Sequence, residues 1–243
     1  MLNWRPRKQS GKQLSTSYAA KLGRLETIQA DDWRTLVTRT GSEAGAALLG
    51  LCRPQGPGKC DHSRFERVVN VVTSLPFVAI GYDTMKKMTT SEGKMYGASI
   101  MGVGAGAVVY HTSPNKYRNL GRKIDYWCIG LSSTALMRAV LPSTPPVATA
   151  AAIFMTPFQP FVVASANALA VEAHYLKRAK QRGDLKRAHQ LHITTGVLGM
   201  FCFVLEEVYP KIPLVHTAWH GLSAFGMAGM NHLVADTEAN RTK

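Results

Sequence analysis

His216-Thr217-Ala218-Trp219-His220 carries two imidazoles at i and i+4, on one face of a helix, the spacing that lets both reach a single ion. A third histidine, His111, and a carboxylate, Asp125, sit at the edges of other apolar segments. If those edges meet at one level, three histidines and an open fourth position describe a catalytic zinc site. No HExxH glutamate accompanies the pair, so a proton acceptor must come from elsewhere, and Asp125 is the candidate general base. A second group, Asp61, Glu66 and Asn70, surrounds the start of the first apolar segment, with Glu206 and Glu207 able to approach it. Clustered oxygen ligands suit a hard cation, which makes calcium the second candidate ion; the competing reading is a set of solvated acids. Haem held by His111 and His216 or His220 is a further alternative, which needs opposed imidazoles at equal depth. His174, His189, His192 and His232 fall towards the other edge of the apolar segments and read as interfacial polar residues.

The elements that must position these groups are apolar and long. The chain has 243 residues, 46% hydrophobic and only 18% charged, and the charge is unevenly spread. Windows without Lys, Arg, Asp or Glu cover 68–82, 95–115, 126–137, 139–171, 188–205 and 212–235. A soluble helix of that length interrupts its sequence with charge on the solvent face, so the pattern predicts an all-α polytopic membrane protein. The window 139–171 is too long for one crossing, about 50 Å as a helix against a hydrocarbon core of about 30 Å. Splitting it at Pro157-Phe158-Gln159-Pro160 gives a bundle of seven transmembrane helices, near 67–83, 95–111, 124–141, 145–157, 159–177, 189–208 and 213–234. Only an odd number of crossings brings His111, Asp125, His216 and His220 to one end. Gly102, Gly104 and Gly106 have neither a preceding strand nor a following Lys-Ser/Thr, so they predict close helix packing and no phosphate loop.

With 29 Lys and Arg against 15 Asp and Glu, the formal charge is +14. Six basic residues and no acid precede Leu25, the composition of an organellar transit peptide, with a disordered basic tail as the alternative. The chain thus divides into a basic segment at 1–40, a linker at 41–60, the membrane domain at 61–235 and a tail at 236–243. No segment reads as a nucleic-acid binder, and the other basic residues sit in short loops, where they set topology. Cys52, Cys60, Cys128 and Cys202 lack CxxC spacing, which argues against a disulfide scaffold and a zinc ribbon.

Four stretches in this order carry a resemblance: Asn70 to Phe77, Tyr110-His111, Asp125-Tyr126 and His216-x3-His220. Together they resemble the superfamily of seven-span hydrolases that includes alkaline ceramidases, adiponectin-type receptors and the lipid-remodelling factors of anchored proteins, over about residues 60 to 235. His111-Thr112-Ser113, Arg122 to Tyr126, Pro157 to Pro160, Arg187 to His192 and His216 to His220 are similar to an uncharacterised plastid-directed membrane family of plants and algae. The resemblance implies zinc held by His111, His216 and His220, Asp125 as base, and hydrolysis of a membrane lipid amide or ester. It also implies a chloroplast membrane, with a mitochondrial one as the alternative. Two positions depart from the superfamily: Ala107 stands where a serine is usual, and Glu66 is four residues before Asn70 where the ceramidases have three. The first departure favours the alternative function, a non-catalytic receptor or assembly factor that keeps the fold and a structural metal.

Overall fold

The computed structural model describes residues 60–241, so the basic segment at 1–40 and nearly all of the linker lie outside the described residues. Seven α-helices account for most of the described chain: α1 (Arg64–Lys87), α2 (Ser91–Thr112), α3 (Arg118–Val140), α4 (Pro146–Met155), α5 (Pro160–Gln181), α6 (Gly183–Val208) and α7 (Val215–Arg241). Among the described residues there is no strand. Each helix overlaps one predicted segment, with ends that differ by up to seven residues. By length and composition, α1 and α6 are apolar enough to cross a membrane.

The local signals explain the starts. Ser63 caps α1 by accepting from the Glu66 N–H at 3.1 Å, while the Glu66 carboxylate accepts from the His62 N–H at 2.7 Å, a variant of the capping box. Pro146 and Pro160 open α4 and α5, where their missing N–H costs nothing.

Helices α1, α2, α3, α5, α6 and α7 pack in that order, and α7 returns to α1 to close the ring. Helix α4 lies outside, against α3 and α5, and none of its residues is buried. The closest approach is between α1 and α2: a Cβ on Gly81 would stand 2.6 Å from the Gly97 carbonyl oxygen, and one on Gly97 would stand 2.5 Å from the Met85 nitrogen. Of the three glycines singled out in α2, Gly104 and Gly106 are packed against α1 and α3, whereas Gly102 faces open space. Polar pairs join helices inside the ring, with Asn167 donating to Ser133 and Thr134 and Asn231 donating to Thr84.

Residues 236–241, expected as a tail, continue α7. Their acids are used inside the fold: Arg178 pairs with Asp236 at 2.7 Å, and the Glu238 carboxylate accepts from the backbone N–H groups of Thr89 and Thr90 at the start of α2. Burial works against ionisation of Glu238, but these donors outweigh it and hold its carboxyl below the ordinary carboxylate range. These contacts mark one end of the bundle. The opposite end holds the histidines.

Candidate metal centre

His111 occupies the last turn of α2, and His216 and His220 the first two turns of α7. Two residues with left-handed backbone turn the chain into this end, Asp61 (φ 65°) before α1 and Leu214 (φ 61°) before α7. That region is tolerated by Asp but costly for Leu, so Leu214 in particular is held there by its surroundings. Glycines bring α3 against α2 nearby. A Cβ on Gly121 would lie 2.8 Å from Ser113 Oγ, and one on Gly106 would lie 3.2 Å from the Asp125 Cα.

The three imidazoles converge. Ring centroids are 5.0 Å apart for His111 and His216, 5.3 Å for His111 and His220, and 4.5 Å for His216 and His220. Each ring is anchored through Nδ1. His111 Nδ1 donates to Asp61 Oδ2 at 2.8 Å and His216 Nδ1 to Glu206 Oε2 at 2.6 Å. His220 Nδ1 lies 3.1 Å from Thr73 Oγ1, whose own proton goes to the Val69 carbonyl at 2.9 Å. The three Nε2 atoms are buried and have no hydrogen-bond partner. A ring that donates from Nδ1 presents a lone pair at Nε2, so the anchors fix the tautomer that binds a metal. An unpartnered buried polar atom costs about 1–3 kcal/mol, and three in one place describe a site built for an occupant.

A cysteine enters the same cluster. The Cys60 sulfur and one ring nitrogen each of His111 and His216 lie within 4.8 Å of one another, a group that could hold a metal ion. Cys60 Sγ is 3.2 Å from the Tyr110 hydroxyl. Burial, and then the carboxylates of Glu206 and Asp61, push the Cys60 thiol up, so without an ion it is protonated; a coordinating thiol is deprotonated outright.

Asp125 is buried and within electrostatic reach of His216 and Arg122. It therefore lies on the side of the bundle that holds the cluster. Ala107 is buried one turn before His111 and offers no hydroxyl; Thr73, from α1, is the hydroxyl that reaches a ring.

Asp61, Glu66 and Asn70, the expected second cation group, take a different role. Asp61 accepts from His111, from Arg118 and from the Asn70 amide, the last at 2.6 Å on its other oxygen. The Asn70 oxygen accepts from Thr217 at 2.6 Å, and Glu66 serves the α1 cap. Calcium needs six to eight oxygens facing it; here the oxygens face donors, around a cavity of only about 10 Å³. Burial opposes ionisation of Asp61, but its hydrogen bonds prevail and hold the carboxyl below the usual range. Asp61 is thus the anchor of a histidine. Glu207 meets Arg122 at 3.2 Å.

His62 also lies at this end, its ring bonded to the Pro210 carbonyl, whereas the other pair of close histidines lies elsewhere. His189 and His192 meet Glu172 between α5 and α6. An apolar cleft of about 190 Å³, lined by Tyr126, Phe161, Met200, Phe203 and Trp219, opens beside the cluster. Trp219 forms the wall between them, its ring 5.3 Å from those of both His216 and His220.

Cys60, Thr73 and the anchoring use of Glu206 escape sequence reasoning. Cys60 has no second cysteine at ligand spacing, and Thr73 is 147 residues from the ring it orients. The one available signal was the adjacency of Cys60 to Asp61 at the edge of the apolar domain. The chain matches no protein-family model, no curated protein and no solved structure.

Proposed function

We propose that this chain is a seven-span membrane protein with a zinc centre that hydrolyses a lipid amide or ester. One observation carries the reading: three buried Nε2 atoms without partners on three rings whose Nδ1 atoms are anchored. The membrane reading is supported by the outer surface, where large apolar side chains such as Phe65, Phe154, Leu169, Val197, Phe201 and Phe225 are exposed while charge gathers at helix ends. The acid-free basic segment before Leu25 supports an organellar address, a chloroplast membrane first.

His111, His216 and His220 would hold the ion through Nε2. Zinc in such a site lowers the pKa of a water towards about 7 and polarises a carbonyl. Asp125 accepts the proton of the attacking water on a carboxylate oxygen and passes it to the leaving group. Asp61, Glu206 and Thr73 keep the three rings in one tautomer and orientation. The cleft behind Trp219 excludes water and accommodates an acyl chain, leaving the polar end of a lipid beside the cluster.

The experiment is fatty-acid and base release from a broad lipid extract by the full chain in detergent. Asp125→Asn keeps the shape and removes the base, so turnover falls by roughly 10² to 10⁴ while zinc stays bound. Ala107→Ser restores a donor and raises turnover if charge in the transition state is under-stabilised. A zinc-loaded wild type that releases nothing from any lipid supports the second reading, a receptor or assembly factor with a structural metal, which Ala107 favours.

A further inference from the structure

Three histidines leave a tetrahedral ion one position short, and the structure places one more donor beside two of them, His111 and His216. An ion at the centre of a triangle with 4.8 Å sides lies about 2.8 Å from each corner. Zinc–nitrogen and zinc–sulfur bonds are about 2.0 and 2.3 Å. Cys60, His111 and His216 therefore need contract by less than about 1 Å to share one. The nitrogens free to do so are the buried Nε2 atoms, because Asp61 and Glu206 occupy Nδ1 of His111 and His216.

The segment that carries the sulfur is tied on every side. Asp61 is held by His111 of α2, Arg118 of α3 and Asn70 of α1. The His62 ring bonds the Pro210 carbonyl at 2.6 Å, and the His62 N–H bonds Glu66. Left-handed backbone at Asp61 then turns Cys60 inward. Tyr110, its hydroxyl 3.2 Å from Sγ, supplies the O–H donor that a thiolate ligand accepts. Arg118 stacks on the same tyrosine ring at 4.8 Å and fixes it.

We propose that Cys60 is the fourth ligand of the metal centre, so that the site as folded is closed and the thiolate must leave the ion before water can take its place. The proposal rests on the three-histidine centre put forward above, and it adds a ligand to it. Four protein ligands make a closed, structural type of site, and three make an open, catalytic type. Here the difference is one side chain, four residues before α1.

The test is X-ray absorption at the zinc edge of the full chain purified with its metal, together with the visible and near-ultraviolet spectrum of the cobalt-substituted protein. One sulfur at about 2.3 Å beside nitrogens at about 2.0 Å is the expected wild-type result. Thiolate-to-cobalt charge transfer should be present in wild type and lost in Cys60→Ala and Cys60→Ser. Iodoacetamide labelling at Cys60, read by peptide mass spectrometry against Cys128 and Cys202, should rise several-fold once a chelator removes the metal. A nitrogen- and oxygen-only shell around one bound zinc overturns the role of Cys60 and leaves the histidine centre standing. A sulfur that persists in Cys60→Ala overturns it as well. Wild type without any metal overturns both readings. Should Cys60→Ala fail to fold, the wild-type absorption edge decides alone.

Discussion

Replacing Glu206 by glutamine isolates the work of one anchor. The carboxylate accepts from His216 Nδ1 at 2.6 Å, with both side chains 9% exposed. The amide oxygen of glutamine can still accept from the ring, so geometry and volume survive and only the charge is lost. A hydrogen bond to a charged group is worth about 1.5–3 kcal/mol and a neutral one about 0.5–1.5, a difference of about 1–1.5 kcal/mol. Losing the negative charge near a dication adds to this. Partners behind metal-bound histidines typically carry about 10- to 100-fold of affinity, or about 1.4–2.8 kcal/mol, and the two routes agree. Thr73→Val is the internal control, because the hydroxyl at 3.1 Å from His220 is neutral: its loss should weaken zinc by only about 2- to 12-fold. The assay is competition for zinc with a chromophoric chelator in detergent, with helicity followed by circular dichroism. Unchanged zinc affinity in a folded Glu206→Gln protein would refute the reasoning, and so would a larger effect from Thr73→Val.

Gly97→Ala should destabilise by about 1–3 kcal/mol or more, since its Cβ meets the Met85 backbone nitrogen at 2.5 Å, whereas Gly102→Ala, facing open space, should be neutral or slightly stabilising; thermal midpoints of the pair compare the two directly. Glu238→Gln should lower stability at neutral pH, because the carboxylate accepts from Thr89 and Thr90 in its ionised form. The folded carboxyl is held below its ordinary value of about 4.3, so this contribution is complete above that pH and disappears as pH falls through the lower folded value. Melting curves of wild type and Glu238→Gln should therefore converge in acid and separate towards neutrality; a gap that widens in acid would contradict the sign.

Seven helices were legible because charge is excluded from long windows and proline divides the longest of them. Their ends were less so. Helix α7 runs to Arg241 because Asp236 and Glu238 pair with α5 and with the start of α2, partners 58 and 149 residues away that no local pattern announces. The meeting of His111, His216 and His220 was readable from spacing and from their places at helix ends, and the candidacy of Asp125 from its place at the edge of an apolar segment. Asp61 looked like a free acid in the sequence. Its partners, His111 and Arg118, lie 50 and 57 residues on, so only the folded chain shows that its oxygens are committed. Cys60 carried no spacing signal at all, and its approach to the histidines depends on left-handed backbone at the next residue.

Metal analysis of the full chain, purified in detergent without added metal, addresses the central claim most directly. About one zinc per chain is predicted, falling to background in His216→Ala and in His220→Ala, because ligands one helical turn apart cannot both be replaced by water without a large loss of affinity. Metal-free wild-type protein with undiminished thermal stability would contradict the account, and so would a zinc stoichiometry that survives removal of both histidines.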